Sequence, residues 1–114
     1  MTLNRGSIIL VLFPNSDLIT AKRRPALIIQ ANDLKTGLNQ IIIAMITSQI
    51  SRANHPSRVK ILLDSTMGKN SGLLTDSVVM TDNLATISIK AVDKIIGYIP
   101  MENVDVALRY TLSL

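Results

Sequence analysis

"KRRPALIIQA", residues 22–31, runs three consecutive cations into a proline and then into an apolar run of strand-forming residues. Taking a cation out of water costs several kcal/mol unless an anion or a hydrogen-bond partner compensates. The densest positive charge of the chain at the mouth of a buried strand is therefore either a solvated cuff or the rim of an anion site.

Similar runs recur on both sides of it. "SIILVLF" (7–13) stops at Pro14-Asn15, "ALIIQA" (26–31) at Asn32-Asp33, and "QIIIAMI" (40–46) at a Thr-Ser-Gln turn. "RVKILL" (58–63) follows His55-Pro56, "DSVVM" (76–80) follows the loop "STMGKNSG", and "KIIGYI" (94–99) comes after "TDNLATIS". Five or six short strands without intervening helices argue against a parallel sheet, whose crossovers need a dozen or more residues. The expectation is a small, mostly antiparallel, twisted sheet or partly closed barrel. The tail differs: Met101, Val104, Ala107, Leu108 and Thr111 fall on one helical face, with Pro100 expected in the first turn and Arg109 near the end. One helix closes the fold.

The chain of 114 residues is expected to form a single domain over residues 1–114. An apolar content of 47% with 18% charged residues suits a packed core and not a disordered chain. With 3% aromatics and no Trp, an aromatic platform for stacking single-stranded bases is not expected. Without cysteine there is no disulfide, thiolate nucleophile or Cys-based zinc site. The N-terminal apolar run is far shorter than a membrane span and lacks a cleavage site, so the expected location is the cytoplasm, with no membrane partner. The net charge of +4 is uneven: residues 1–60 carry eight of the twelve Lys and Arg, against only Asp17 and Asp33 among the acids. Such a basic half is what attraction to a phosphate backbone requires, although many basic proteins share it.

Familiar catalytic sets are missing. His55 stands alone, with neither a second His nor a spaced carboxylate for a metal or a triad, and reads as a turn residue before Pro56. "MGKNSG" lacks P-loop spacing and reads as a hairpin loop. Asp76, Asp82, Asp93, Glu102 and Asp105 read as a solvated face. On the residues alone, Arg24 is a strand-end cation more readily than an anion ligand, and Thr47 a β-branched strand terminator bonded to local backbone.

The succession "RGSIILVLFP", "KRRPALIIQAN", "IIIAMITSQI" and "HPSRVKILL" resembles the MazF/PemK toxin endoribonucleases of the CcdB/PemK superfamily, over nearly the whole chain. The telling parts are Arg-Pro at the start of the second strand and Ile-Thr-Ser-Gln after the third. The resemblance implies an SH3-like, partly closed antiparallel β-barrel with a C-terminal α-helix, and a toxin that cleaves single-stranded RNA without metal or cofactor. It makes Arg24 and Thr47 the catalytic pair. Chemically this suffices, because RNA brings its own nucleophile in the 2′-OH, and a guanidinium matches phosphoryl oxygens bidentately.

The resemblance further implies RNA contacts from Ser16 and Asp17, in a loop between strands one and two that covers the site as a mobile flap, and from Lys22, Arg23, Ser48 and Gln49. Asn83 stands where many members have a glutamine, and Ala85 where they have an arginine; Arg58 or Lys60 is then needed to compensate, or RNA binding is weaker. Implied partners are a second copy, as a homodimer, and an acidic antitoxin. Two other readings remain: a non-catalytic toxin binding a protein target such as gyrase, which the absence of a C-terminal Trp-Gly-Ile signature disfavours, and an inactive RNA- or antitoxin-binding module.

Overall fold

The computed structural model describes residues 2–14, Asp17 and residues 19–114. It contains β1 (Ser7–Pro14), β2 (Ala21–Ile28), β3 (Gln40–Thr47), β4 (Arg58–Ile61), α1 (Thr66–Ser71), β5 (Ser77–Ser88), β6 (Val92–Tyr98) and α2 (Glu102–Leu112). The six strands form one sheet in the order β4-β5-β3-β2-β1-β6, every neighbouring pair antiparallel. Its outer strands β4 and β6 do not pair with each other, so the sheet curls without closing.

The curl explains why the central strands read as continuous apolar runs. Neighbouring residues point to opposite faces, and both faces are buried. Ile8, Leu27, Ala44, Ile46, Val59, Ile61 and Val79 pack beneath Val104, Ala107 and Leu108 of α2. Their neighbours Ile9, Val11, Ala26, Ile28, Ile41 and Ile43 fill the other face with Val92 of β6. No helix covers that second face among the described residues; the sheet folds over it, bringing Ala85 and Ile87 of β5 into contact.

The bend originates in β5. Its register with β3 shifts between Ala44 and Met45, whose partners are Leu84 and Met80, so Thr81, Asp82 and Asn83 bulge out. A bulge bends its strand and sharpens the twist. This one is pinned by the Ser57 carbonyl, which accepts from the Thr81 amide at 3.0 Å and from its hydroxyl at 2.7 Å. Arg58 grips Asp82 bidentately at 2.9 and 2.7 Å, and this hydrogen-bonded guanidinium holds the Asp82 carboxyl below its ordinary range. β5 thus runs far beyond the expected 76–80, because a strand bent at polar residues keeps pairing where the apolar run has ended.

The segment "STMGKNSG" is not a hairpin loop. The Ser65 hydroxyl accepts from the Gly68 amide at 3.0 Å, capping α1, and Gly72 ends the helix at φ +72°. A Cβ on Gly97 of β6 would collide with the backbone of Asn70 and Ser71, so α1 lies on β6 backbone against backbone. Pro100 precedes the Met101 cap of α2 and is not in the first turn. Arg5 ties the N-terminus down: its guanidinium donates to the Ile29 carbonyl at 2.9 Å and to Asp105 of α2 at 2.6 Å.

Gly97→Ala should destabilise the fold by about 1–3 kcal/mol, as overpacking does, and more than Gly37→Ala, where no atom lies within 4 Å of the new Cβ and only the φ of +78° resists. Urea unfolding midpoints decide the point: equal losses would mean that the α1–β6 contact does not hold this helix in place.

Candidate nucleic-acid interface

β2 pairs with β1 from Ile8–Leu27 to Pro14–Ala21, but with β3 only from Ile28–Ile43 to Ala26–Met45. The β2–β3 ladder stops where Pro25 begins, a residue with no N–H to donate. Upstream of it β2 and β3 part as a fork, β3 continuing along β5 as far as Thr47–Val78. The three cations of the opening stretch therefore lie inside β2, which begins at Ala21, and not on a loop. Only residues 15–20 are left for the β1–β2 connection. Arg24, just before Pro25 on β2, and Thr47, at the end of β3, stand on the two arms of this fork.

A cavity of about 680 Å³ opens at this fork, lined by Lys22, Arg23, Arg24, Thr47, Ser48 and Gln49 among others. Among the described residues its lining holds four cations, the fourth being Lys94 of β6, and no carboxylate. Arg24 is exposed, and no ion pair engages it among the described residues. The Thr47 oxygen accepts from the Gln49 amide at 3.2 Å, which fixes the turn leaving β3 and leaves the hydroxyl hydrogen available to a ligand. Arg23 is different: its Nε lies 2.7 Å from Asp93 of β6, reached across β1, so part of its charge is already met.

Of the other expected residues, Asn83 and Asp17 do not line the cavity. Asn83 sits in the β5 bulge, and Asp17 points back on its own loop, accepting from the Ile19 and Thr20 amides and the Thr20 hydroxyl. Those bonds, the Thr20 amide first, hold the Asp17 carboxyl below its usual value. Ser16 lies outside the described residues. Ala85 packs against the second core cluster, and neither expected substitute supplies a cation there: Arg58 is committed to Asp82 and to the Arg52 carbonyl, and Lys60 does not line the cavity. His55 is far from general-base duty, its Nδ1 accepting from the Ser57 amide and its ring edge-on to Tyr110. Among the described residues no three His, Asp or Glu side chains gather as a metal site, and no helix is long and apolar enough to cross a membrane.

Sequence reasoning missed the wall made by Leu73, Leu74, Thr75, Lys94 and Ile96. Its only signal was the Ser65 cap and Gly72 stop of α1, which together would have turned the chain back onto β6.

A family described as PemK-like, MazF-like toxins of type II toxin-antitoxin systems matches residues 4–111. The chain belongs to that family. Solved structures agree in fold. An endoribonuclease from a mycobacterial species in complex with its cognate antitoxin is 18% identical, with a TM-score of 0.76 over 99% of this chain and 97% of its own. The Mycobacterium tuberculosis toxin MazF-mt6 is 22% identical, with a TM-score of 0.68 over 93% and 97% of the two chains. A MazE-MazF structure from Deinococcus radiodurans is 15% identical, with a TM-score of 0.73 over 100% and 98%. No curated protein sequence matches the chain. The open, curled sheet with its C-terminal helix is thus the fold of MazF-like toxins.

The Arg23–Asp93 pair makes a testable asymmetry within the cation run. Arg23→Ala should weaken binding of a single-stranded oligonucleotide less than Lys22→Ala, and Asp93→Asn should tighten it at low salt by freeing Arg23. Fluorescence anisotropy titrations measure this; unchanged or weaker binding by Asp93→Asn would show that the pair does not restrain Arg23.

Proposed function

We propose that the chain is the toxin of a toxin-antitoxin pair and acts as an endoribonuclease on single-stranded RNA, with Arg24 and Thr47 as catalytic residues. The observation that carries this reading is that both line one cavity at the fork, which among the described residues holds four cations and no carboxylate. The family, and the endoribonucleases that share the fold, support it.

The chemistry follows from what lines the cavity. The 2′-OH of the substrate attacks the adjacent phosphorus, the P–O5′ bond breaks, and the 2′ proton leaves as the 5′ oxygen gains one. Arg24 stabilises the charge that builds on the non-bridging oxygens, being held on β2 and without an ion pair among the described residues. Thr47 donates its hydroxyl hydrogen to a phosphate oxygen or orients the attacking hydroxyl. Lys22 and Arg23 add phosphate attraction, with Ser48 and Gln49 as polar contacts. No water needs activation, so neither metal nor cofactor is required.

We infer further a homodimer, an acidic antitoxin that folds onto the basic cavity, and action in the cytoplasm. Val106, Tyr110, Leu112 and Leu114 leave an apolar stretch exposed along and just beyond α2, which favours burial against a second copy.

Cleavage should survive EDTA and leave a 2′,3′-cyclic phosphate and a 5′-OH, while a substrate with a 2′-deoxy sugar at the cut should be inert. Mass spectrometry of the fragments reads this, and a cut deoxy substrate would remove the mechanism. Arg24→Ala should cost about 100- to 1,000-fold in kcat, as loss of one transition-state donor does, without unfolding the chain. Arg24→Lys should rescue poorly, because a point charge cannot form the fork. Thr47→Ala should lose a large part of the rate, and Thr47→Ser should recover much of it. Near-normal turnover by Arg24→Ala would leave the cavity without its proposed chemistry.

A further inference from the structure

Leu10 pairs with Pro25 of β2 on one side and with Lys94 of β6 on the other. Lys94 thus stands about two strand spacings, ~10 Å, from the strand that carries Arg24. It is exposed, forms no ion pair among the described residues, and lines the same cavity. Between their two strands stands Leu10 of β1, and the same cavity lining holds Ile46, Leu73 and Ile96 beside the polar Thr47, Ser48 and Gln49. A cavity of about 680 Å³ falls in the range, roughly 300–1,000 Å³, that encloses a small-molecule ligand, and so has room for a nucleotide unit. Two cations at that separation, with aliphatic surface in the same cavity, fit a chain that alternates phosphate, base and phosphate.

We infer that Lys94 anchors a second phosphate of the substrate RNA, beyond the one held at Arg24, and that the aliphatic part of the cavity lining seats the base between the two phosphates. This rests on the ribonuclease reading above and adds a binding residue and a base subsite to it. Aliphatic side chains offer a base shape and exclusion of water without aromatic stacking, so the wall selects by fit and desolvation. Lys94 touches a phosphate that does not react, and it therefore contributes to binding substrate and transition state alike.

The test uses the full-length protein, an RNA oligonucleotide it cuts, and the same oligonucleotide with a 2′-deoxy sugar at the cut for equilibrium binding. Lys94→Ala should raise KM and Kd about 3- to 10-fold with kcat unchanged. The log-log slope of affinity against salt should fall by about 0.7, the value for one single-strand phosphate contact. Lys94→Arg should restore most of the affinity. Lys90→Ala, another exposed lysine but outside the cavity lining, should change none of these. An abasic nucleotide moved along the oligonucleotide should weaken binding to the unaltered protein most at one position adjoining the cut, a readout that needs no variant to fold. If the protein cuts RNA but Lys94→Ala behaves as Lys90→Ala does, the second anchor is wrong and the ribonuclease reading stands. If the abasic walk shows no preferred position, the base seat is wrong. If no RNA is cut or bound at all, the underlying reading fails with it.

Discussion

The parting of β2 from β3 at Pro25 is the constraint on which the cavity depends. Downstream of it the two strands are paired and their side chains are core; upstream, β2 keeps only β1 as a partner. The freed edge carries Lys22, Arg23 and Arg24 into solvent, while the facing end of β3 carries Thr47. A fully zipped sheet would leave no space there. The cations thus need no burial: they stand on rigid strand backbone at the rim of a gap, a place where a guanidinium can be fixed in position without desolvation.

The walls of that gap come from a device elsewhere. The β5 bulge, fixed by Ser57 and by Arg58 on Asp82, lets the sheet curl over its second face without a helix. α1 seats itself on β6 through glycine contacts, and the connection that follows it, with Leu73 and Leu74, becomes a side of the cavity. Gly72, Leu73 and Leu74, at and just after the end of α1, share the cavity lining with Arg24.

Most of the architecture was legible in the sequence because apolar runs and turn residues mark strands well. Strand number, the antiparallel order of events and the closing helix all follow from them. What failed were the edges. β2 begins within the cation run because backbone pairing with β1 extends into residues whose side chains look like loop, and β5 crosses three polar residues as a bulge. α1 was read as a loop because six residues containing Gly, Lys and Asn carry little helical pattern of their own; its caps and its packing on β6 hold it. Of the expected site, Lys22, Arg23, Arg24, Thr47, Ser48 and Gln49 meet at one cavity, since they adjoin recognisable strand ends. Asn83 lies in that same bulge, outside the cavity lining. Lys94 carried no local signal at all, because it enters only through the pairing of β6 with β1, a contact between the two ends of the chain.

The central claim is that the fork holds the phosphate to be cleaved between Arg24 and Thr47. A crystal structure of the protein with an RNA oligonucleotide bearing a 2′-deoxy sugar at the cut tests it directly. The account predicts that phosphate at charge-assisted hydrogen-bond distance, about 2.7–2.9 Å, from the Arg24 guanidinium, with Thr47 Oγ1 on another oxygen or on the 2′ position. A scissile phosphate bound instead beside Arg58 and His55, or on the face of α2, would contradict it.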